Sequence, residues 1–490
     1  MVFDLRRDGG AALYQQIADQ IKVEISRRRL PAGARLPTIP QLAHELGVTR
    51  VTVQNAYDEL RADGWVESTI GRGTFVSERI LPANQLRSYE QQLTPDVMIS
   101  DMLQVTEMVG FRSLASASPD GQFFPADEFW SALTDLHAEA AAMASYNASQ
   151  GAPALRVELA KLLRERGLDF AADDILVTSG VTQGLALIAQ ATCRPGDIVL
   201  VEQPTYVGFL HTLKTQNIQP LGVPLDEEGP QLEALERIAA QHRPRFFYTI
   251  PTFQNPTGLC MTPARRQAIL SLAERYGFLV VEDDLYARIA YDEPAPLPLL
   301  AADHNAQVIY LSSFSKTLMP GLRLGYLVAP PPLLQRLLSL RRANDLCGPT
   351  LLQHAMARFL ANGGLKKHLR RVLPIYRERR DAYLAAMQHY MPPAVGWTRP
   401  TGGFCSWVTL PPQNALRNIY QLAVQQGWIF APGDVFLAEP STHLHLRICF
   451  GNQPPATIRT GVEMLSGLVR DRIARSTSNG AQSMDWTPLV

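Results

Sequence analysis

Lys316 stands in the run Ser312-Ser-Phe-Ser-Lys-Thr-Leu-Met-Pro-Gly-Leu-Arg323, directly after the apolar segment Val308-Ile-Tyr-Leu311. A lysine just past the end of a buried strand can condense with an aldehyde once its ammonium loses a proton. Burial and a nearby cation both favour that loss. Ser313 and Arg323 are of the types that hold a phosphate, the arginine as a two-pronged donor. An amine for an aldehyde beside a grip for a phosphate suggests pyridoxal 5'-phosphate, provided that the chain also supplies partners for its ring.

Those partners are expected at the ends of other apolar runs. Asp174-Ile-Leu-Val-Thr178, Asp197-Ile-Val-Leu-Val201, Phe246-Phe-Tyr-Thr-Ile250 and Phe278-Leu-Val-Val-Glu282 are near-continuous apolar stretches, several of them separated by helix-length segments. This texture predicts an α/β fold with a mostly parallel sheet covered on both faces. Ligands in such sheets lie beyond the carboxyl ends of the strands. The first run leads into Ser179-Gly-Val-Thr-Gln-Gly184, a helix start whose free N–H groups suit a phosphate. The second is followed by Tyr206, an aromatic face, and the third by Asn255 in a Pro-Thr-Gly turn. The fourth ends in Asp283, with Tyr286 three residues on. A carboxylate at a pyridine nitrogen keeps it protonated and makes the ring an electron sink. Taken singly these are a core tyrosine, a loop asparagine and a helix-capping aspartate; at successive strand ends they are not independent accidents. Further on, Arg447 alternates with apolar neighbours in Leu444-His-Leu-Arg-Ile-Cys-Phe450, and a buried arginine there needs an anionic partner.

The first eighty residues have a different texture. Leu13, Ile17, Ile21 and Ile25 recur at helical spacing, and Pro31-Ala-Gly33 stops the pattern. Thr38 and Gln41 are spaced as a capping box, with Pro40 in the first turn of a short helix that ends at Gly47. A turn, Gly47-Val-Thr49, leads to a second helix from Arg50, with Val53, Ala56, Tyr57 and Leu60 on one face. Trp65–Ser68 and Thr69–Val76 then predict a hairpin with a glycine tip. Two short helices and a hairpin describe a winged helix-turn-helix, whose second helix enters the major groove of double-stranded DNA. Thr49, Arg50, Thr52 and Gln54 are the candidate base readers, and Arg72 suits a phosphate or the minor groove. Charge does not carry this reading: residues 1–80 hold eleven Lys/Arg against ten Asp/Glu.

Composition narrows the class. The 490 residues carry 46 Lys/Arg, 46 Asp/Glu and 46% apolar residues, as expected of a soluble globular protein of two or three domains. No apolar run is long enough to span a bilayer and the N-terminus lacks the core of a signal peptide, so a cytoplasmic location is expected. Five scattered cysteines without a CxxC indicate neither a disulfide framework nor a metal site.

Both regions resemble known families. The order Leu36-Pro-Thr, Leu42-Ala, Leu46-Gly-Val-Thr-Arg50, Thr52-Val, Ala56-Tyr and Gly71-Arg-Gly-Thr-Phe-Val76 resembles the GntR-type winged helix over nearly all of residues 10–77. The order Tyr146…Gly151, Ser179-Gly…Gln183, Pro204-Thr-Tyr206, Asn255-Pro-Thr-Gly258, Asp283-Asp-Leu-Tyr286, Ser313-Phe-Ser-Lys316, Arg323 resembles fold-type I aminotransferases. Together they resemble the MocR subfamily of GntR regulators. The resemblance implies a DNA-binding domain over residues 1–78, a linker over 79–111 and an aminotransferase-like domain over 112–470. The strand and turn texture predicts a smaller α/β subdomain from near 350, and the polar residues 471–490 predict a flexible tail. The resemblance implies that Lys316 carries the cofactor, Asp283 pairs with the ring nitrogen, Asn255 and Tyr286 bond the phenolic oxygen and Tyr206 stacks on the ring. Val181, Thr182, Ser313, Ser315 and Arg323 would hold the phosphate, with Tyr146 reaching that of a neighbouring subunit in a domain-swapped or head-to-tail homodimer. Arg447, with Asn255, would take the carboxylate of an amino-acid or amine effector that exchanges for Lys316. Thr38, Thr49, Arg50, Thr52, Gln54, Arg72 and Gly73 would face operator DNA. Two departures stand out: Pro40 where relatives place a base-reading arginine, and Val181 where many have serine. A working aminotransferase carrying a DNA-binding head, and a regulator sensing pyridoxal 5'-phosphate itself, are the other functions these residues allow.

Overall fold

The computed structural model describes residues 5, 12–26, 29–31, 33–62, 65–69, 73–77, 112–139, 143–146, 148–411, 416 and 418–482. The expected linker and Arg72 lie outside the described residues. The chain divides into two compact units, one holding residues 1–113 with 421–429 and the other 114–420 with 430–490.

In the first unit, α1 (Leu13–Ser26), α2 (Ile39–Leu46) and α3 (Arg50–Ala62) precede the antiparallel hairpin of β1 (Val66–Thr69) and β2 (Gly73–Val76). Each helix gives one apolar face to a common core: Ile17, Ile21 and Ile25 from α1, Leu42 from α2, and Val53, Ala56, Tyr57 and Leu60 from α3, closed by Val66 and Val76. Tyr57 donates its hydroxyl to Pro37 O at 2.8 Å, so this polar atom at the edge of the core is satisfied. Gly47, at φ +60°, ends α2 in a left-handed turn that favours glycine. The expected capping box does not form. Thr38 has the N-cap backbone but makes no side-chain cap bond, and Gln41 donates to Glu45 instead at 3.3 Å. Pro40 has removed one of the two N–H groups that a capping side chain can accept from. Thr49 does cap α3, its Oγ1 accepting from Thr52 N at 3.2 Å.

The second unit is built on an eight-stranded sheet. Its strands are β3 (Ile175–Thr178), β4 (Ile198–Gln203), β5 (Gln219–Asp226), β6 (Gly229–Pro230), β7 (Phe246–Thr249), β8 (Leu279–Asp283), β9 (Val308–Ser313) and β10 (Gly325–Val328), in the order β3-β10-β9-β8-β7-β4-β5-β6. The five strands read from the sequence are all present. β7, β8 and β9 run parallel, as do β4 and β5 and β4 and β7. The sheet is mixed, however, because β10 pairs antiparallel with both β3 and β9. A four-residue strand reached by the short return from β9 needs no helical crossover, and antiparallel pairing is what such a return permits. After β3, helix α4 (Val181–Thr192) lies so close to the sheet that a methyl on Gly184 would come within 2.6 Å of Leu311 Cδ2.

A four-stranded antiparallel sheet completes this unit: β11 (Gly396–Trp397), β12 (Cys405–Leu410), β13 (Ala431–Pro432) and β14 (Leu444–Cys449), in the order β11-β12-β14-β13. The last helix, Pro455–Gln482, continues beyond position 471, where the polar sequence suggested a frayed tail; a helix already nucleated by packed turns extends at little cost through polar residues. No helix among the described residues is long and apolar enough to cross a membrane.

Candidate functional site

Asp283 ends β8 and Lys316 follows β9, while Val181 and Thr182 follow β3, Tyr206 follows β4 and Asn255 follows β7. Lys316 sits three residues past β9, and its Nζ donates to Ala117 O at 2.8 Å. Burial, with the Arg447 charge, lowers its pKa to about 8, against opposing pulls from the Cys405, Cys449 and Asp283 sides. Asp283 is fully buried at the end of β8. Its Oδ2 accepts from Tyr248 OH at 2.9 Å, while its Oδ1 has no partner among the described residues. Burial pushes Asp283 up to about 7, although the Tyr248 bond pulls the other way. Tyr286 OH is likewise buried without a partner, its ring edge-on to Phe404. The neighbouring Asp284 points elsewhere, to Arg166 at 3.1 Å and Tyr310 at 3.0 Å.

Arg447, on β14, is 4% exposed. It donates to Asn255 Oδ1 at 2.9 Å and to Ala115 O, and its guanidinium lies 4.6 Å from the centre of the Phe436 ring. Its Nε is unpartnered, and no carboxylate among the described residues pairs with it. The anionic partner required of a buried arginine is therefore not a carboxylate among its described neighbours.

A second group of residues forms a cup at the start of α4. Gly180, at φ +79°, precedes the free N–H groups of Val181 and Thr182, and a Cβ there would meet Arg323 Nη2 at 3.0 Å. Arg323 donates to Ser179 O at 3.0 Å, and Ser313 Oγ accepts from Ser315 N at 3.3 Å. Tyr206 is half-buried, with its ring packed so closely over Gly208 that a Cβ there would clash with it. Tyr146 does not join this group within the chain: it is 85% exposed.

Turn geometry holds Asn255 in place. Gln254 bridges Glu202 Oε2 at 3.0 Å and Thr257 N at 2.8 Å, and Gly258 lies at φ +71° with Cys405 O in the space that a Cβ would need. Gly258→Ala is expected to lower stability by roughly 2–4 kcal/mol through backbone strain and a backbone clash, read as the midpoint of urea unfolding.

On the first unit, Thr38, Thr49 and Arg50 are exposed and Thr52 is half-buried at the start of α3. Gln54 directs its amide to both Asp58 carboxylate oxygens at 3.0 Å, which ties up a group expected to meet a base. Gly73, at φ +115°, lies beside the exposed Arg35. Arg35, Tyr248 and the Ala115 and Ala117 carbonyls were not singled out from the sequence. Tyr248 had a signal, since it stands on the apolar run next to the one that delivers Asp283; the two carbonyls had none.

Comparison with known proteins places this geometry. The aminotransferase class I and II family matches residues 111–465 and the bacterial gntR regulatory family matches residues 13–76. The chain belongs to the class I and II aminotransferase family. It is a GntR-type regulator fused to an aminotransferase-like domain, the combination found in MocR-type regulators. It is 31% identical to the uncharacterized HTH-type transcriptional regulator YjiR of Escherichia coli (strain K12), over 89% of this chain and 94% of that one. The probable rhizopine catabolism regulatory protein MocR of Rhizobium meliloti is 29% identical over 79% of each chain. Among solved structures, the α-aminoadipate aminotransferase LysN of Thermus thermophilus, complexed with N-(5'-phosphopyridoxyl)-L-leucine, is similar with a TM-score of 0.72. It is 32% identical, over 77% of this chain and 95% of that one. The aminotransferase-like domain thus has the fold that the strand-end residues require.

Proposed function

We propose that this MocR-type regulator binds pyridoxal 5'-phosphate in its aminotransferase-like domain and reports an amino acid or amine to its DNA-reading head. One observation carries the reading. Asp283 Oδ1, Tyr286 OH and Arg447 Nε are buried without partners among the described residues in the region of Lys316, and such groups are costly unless a ligand satisfies them. A ring nitrogen, a phenolic oxygen and a carboxylate are ligand groups of the right chemistry for the three. The residues therefore fit the cofactor.

Asp283 would hold the ring nitrogen protonated, Asn255 and Tyr286 would bond the phenolic oxygen, and Tyr206 would lie on the ring face. The N–H groups of Val181 and Thr182, with Ser313, Ser315 and Arg323, would grip the phosphate. Lys316 would be the attachment point. Bound pyridoxal 5'-phosphate supplies an aldehyde that condenses with amines and a ring that withdraws electrons. Arg447 would clasp the effector's carboxylate beside Asn255. The exposed Tyr146 suits a contact with a second copy, in a domain-swapped or head-to-tail homodimer. An effector that favours one arrangement of that dimer shifts the population of DNA-binding states.

On the head, Thr38, Thr49, Arg50, Thr52, Arg72 and Gly73 are the proposed operator contacts, with Gln54 free to reach a base only if it leaves Asp58. Arg50→Ala is expected to weaken operator binding by about 1–3 kcal/mol if it reads a base edge. Titration of a promoter fragment in moderate salt checks this, and an unchanged affinity removes Arg50 from the contacts.

The test of the whole reading follows cofactor absorbance while purified protein meets a panel of amino acids and α-keto acids, with footprinting of its own promoter region in parallel. A lasting spectral change with an altered footprint, and no amino-group exchange, supports the sensor. Repeated amino-group exchange supports an active aminotransferase, a reading favoured by the lowered pKa of Lys316. A footprint that changes with cofactor alone supports a sensor of pyridoxal 5'-phosphate.

A further inference from the structure

The face of the small sheet that carries Arg447 also carries two thiols. Cys405 on β12 and Cys449 on β14 are register partners, with Sγ atoms 3.6 Å apart and exposures of 2% and 0%. Cys449 N donates to Leu114 O at 2.7 Å, and Phe450 N donates to Phe404 O at 3.1 Å. The cysteines are therefore a non-hydrogen-bonded pair, the kind in which side chains on facing strands come closest. A disulfide bond is ~2.05 Å long, so the sulfurs have about 1.5 Å to close from their 3.6 Å contact. The remaining cysteines, 193, 260 and 347, are half-buried and have no such partner among the described residues.

The pair shares its surroundings with Arg447. Cys405 Sγ lies 3.8 Å from Asn255 Oδ1, which accepts from Arg447 Nη1. Cys449 Sγ lies 3.6 Å from Ala115 O, which accepts from Arg447 Nη2. Both acceptors that position the guanidinium therefore also face a thiol. We propose that Cys405 and Cys449 form a reversible dithiol switch, closed to a disulfide by hydrogen peroxide, that tunes how tightly Arg447 holds a carboxylate ligand.

The two thiols differ in how readily they ionise. Burial keeps Cys405 protonated. At Cys449 burial is outweighed by the Cys405 S–H and by the Arg447 and Lys316 charges, so this thiol ionises more readily than usual. The Cys449 thiolate attacks one peroxide oxygen, the O–O bond breaks, and the departing hydroxide takes a proton to become water. Cys405 then attacks the resulting sulfenic sulfur; the S–S bond forms, the S–O bond breaks, and a second water leaves with the Cys405 proton. Two thiols and one peroxide give one disulfide and two waters, the sulfurs losing the two electrons that the peroxide gains.

The consequence follows from charge. A thiolate beside Arg447 neutralises part of its field and repels an incoming carboxylate; the disulfide does neither. Oxidation is thus expected to tighten amino-acid binding by about tenfold. By reciprocity, a bound amino acid favours the disulfide over the dithiol by the same factor. This second part rests on the effector reading above; the disulfide itself does not.

The experiment uses the full-length protein, reduced, freed of reductant and titrated with hydrogen peroxide. Thiols are then alkylated in urea and counted by intact mass and peptide mapping. The five alkylatable thiols are expected to fall to three, with a Cys405–Cys449 cross-linked peptide, and dithiothreitol should restore all five. Protein loaded with pyridoxal 5'-phosphate is then titrated with the standard L-amino acids in both states. Oxidised protein should bind more tightly, and Cys405→Ser and Cys449→Ser should each abolish the difference. Persistence of five thiols, linkage through other cysteines, or equal affinity in the two states overturns the proposal. If no amino acid binds in either state, the effector reading fails, and the thiol count alone decides the dithiol.

Discussion

Lys316→Ala is expected to abolish the visible absorbance that bound pyridoxal 5'-phosphate gives the protein, and with it any cofactor attachment that survives borohydride reduction and denaturation. The substitution removes the one amine placed at the end of β9 beside Asp283 and Arg447. Attachment needs the neutral amine. A lysine with a pKa of about 8 is roughly one-tenth neutral at pH 7, whereas at the ordinary 10.5 only about one in three thousand would be, an advantage of about 300-fold. The wild-type attachment rate should accordingly rise with pH up to about 8 and then level off. Operator binding without effector should survive the substitution, because the helix-turn-helix has its own core. Colour retained at the same wavelength in Lys316→Ala would move the attachment to another residue.

The second large effect is expected at Arg447. Arg447→Met should weaken binding of amino acids by about 2–5 kcal/mol, the cost of truncating one side of a desolvated ion pair. Amines that lack a carboxylate should lose almost nothing. Cofactor absorbance should remain, since Arg447 is proposed to face the effector and not the ring. Stability should stay level or rise, because the guanidinium is now buried without a carboxylate and a methionine fills a similar volume without that cost. Equal losses for amino acids and simple amines, measured by spectral titration, would take the carboxylate role from Arg447.

These effects connect to what the chain alone makes legible. Residues that terminate apolar runs could be placed near one another from the sequence, because strands of a parallel sheet end on one edge. That is why Asn255, Asp283 and Lys316 could be assigned together. Only the structure turns Asp283, but not Asp284, toward Tyr248: adjacent side chains at a strand end turn to opposite faces, and Asp284 meets Arg166 instead. The winged helix was legible because its helix periods and its turn residues agree. Its cap was not, because the spacing of Thr38 and Gln41 says nothing of the N–H group that Pro40 removes.

Local period, turn residues and side-chain identity are enough to give the two-part order of the chain, the strands that deliver each candidate group and the chemical type of the candidate side chains. Which groups lack partners is a different matter, settled by packing. The free Oδ1 of Asp283, the missing carboxylate at Arg447 and the capture of Gln54 by Asp58 depend on which segments and rotamers arrive beside them. Folding alone also brought Cys405 and Cys449, 44 positions apart, into contact across one ladder. Register between two strands is set by the packing of both faces, and no single stretch of sequence contains it.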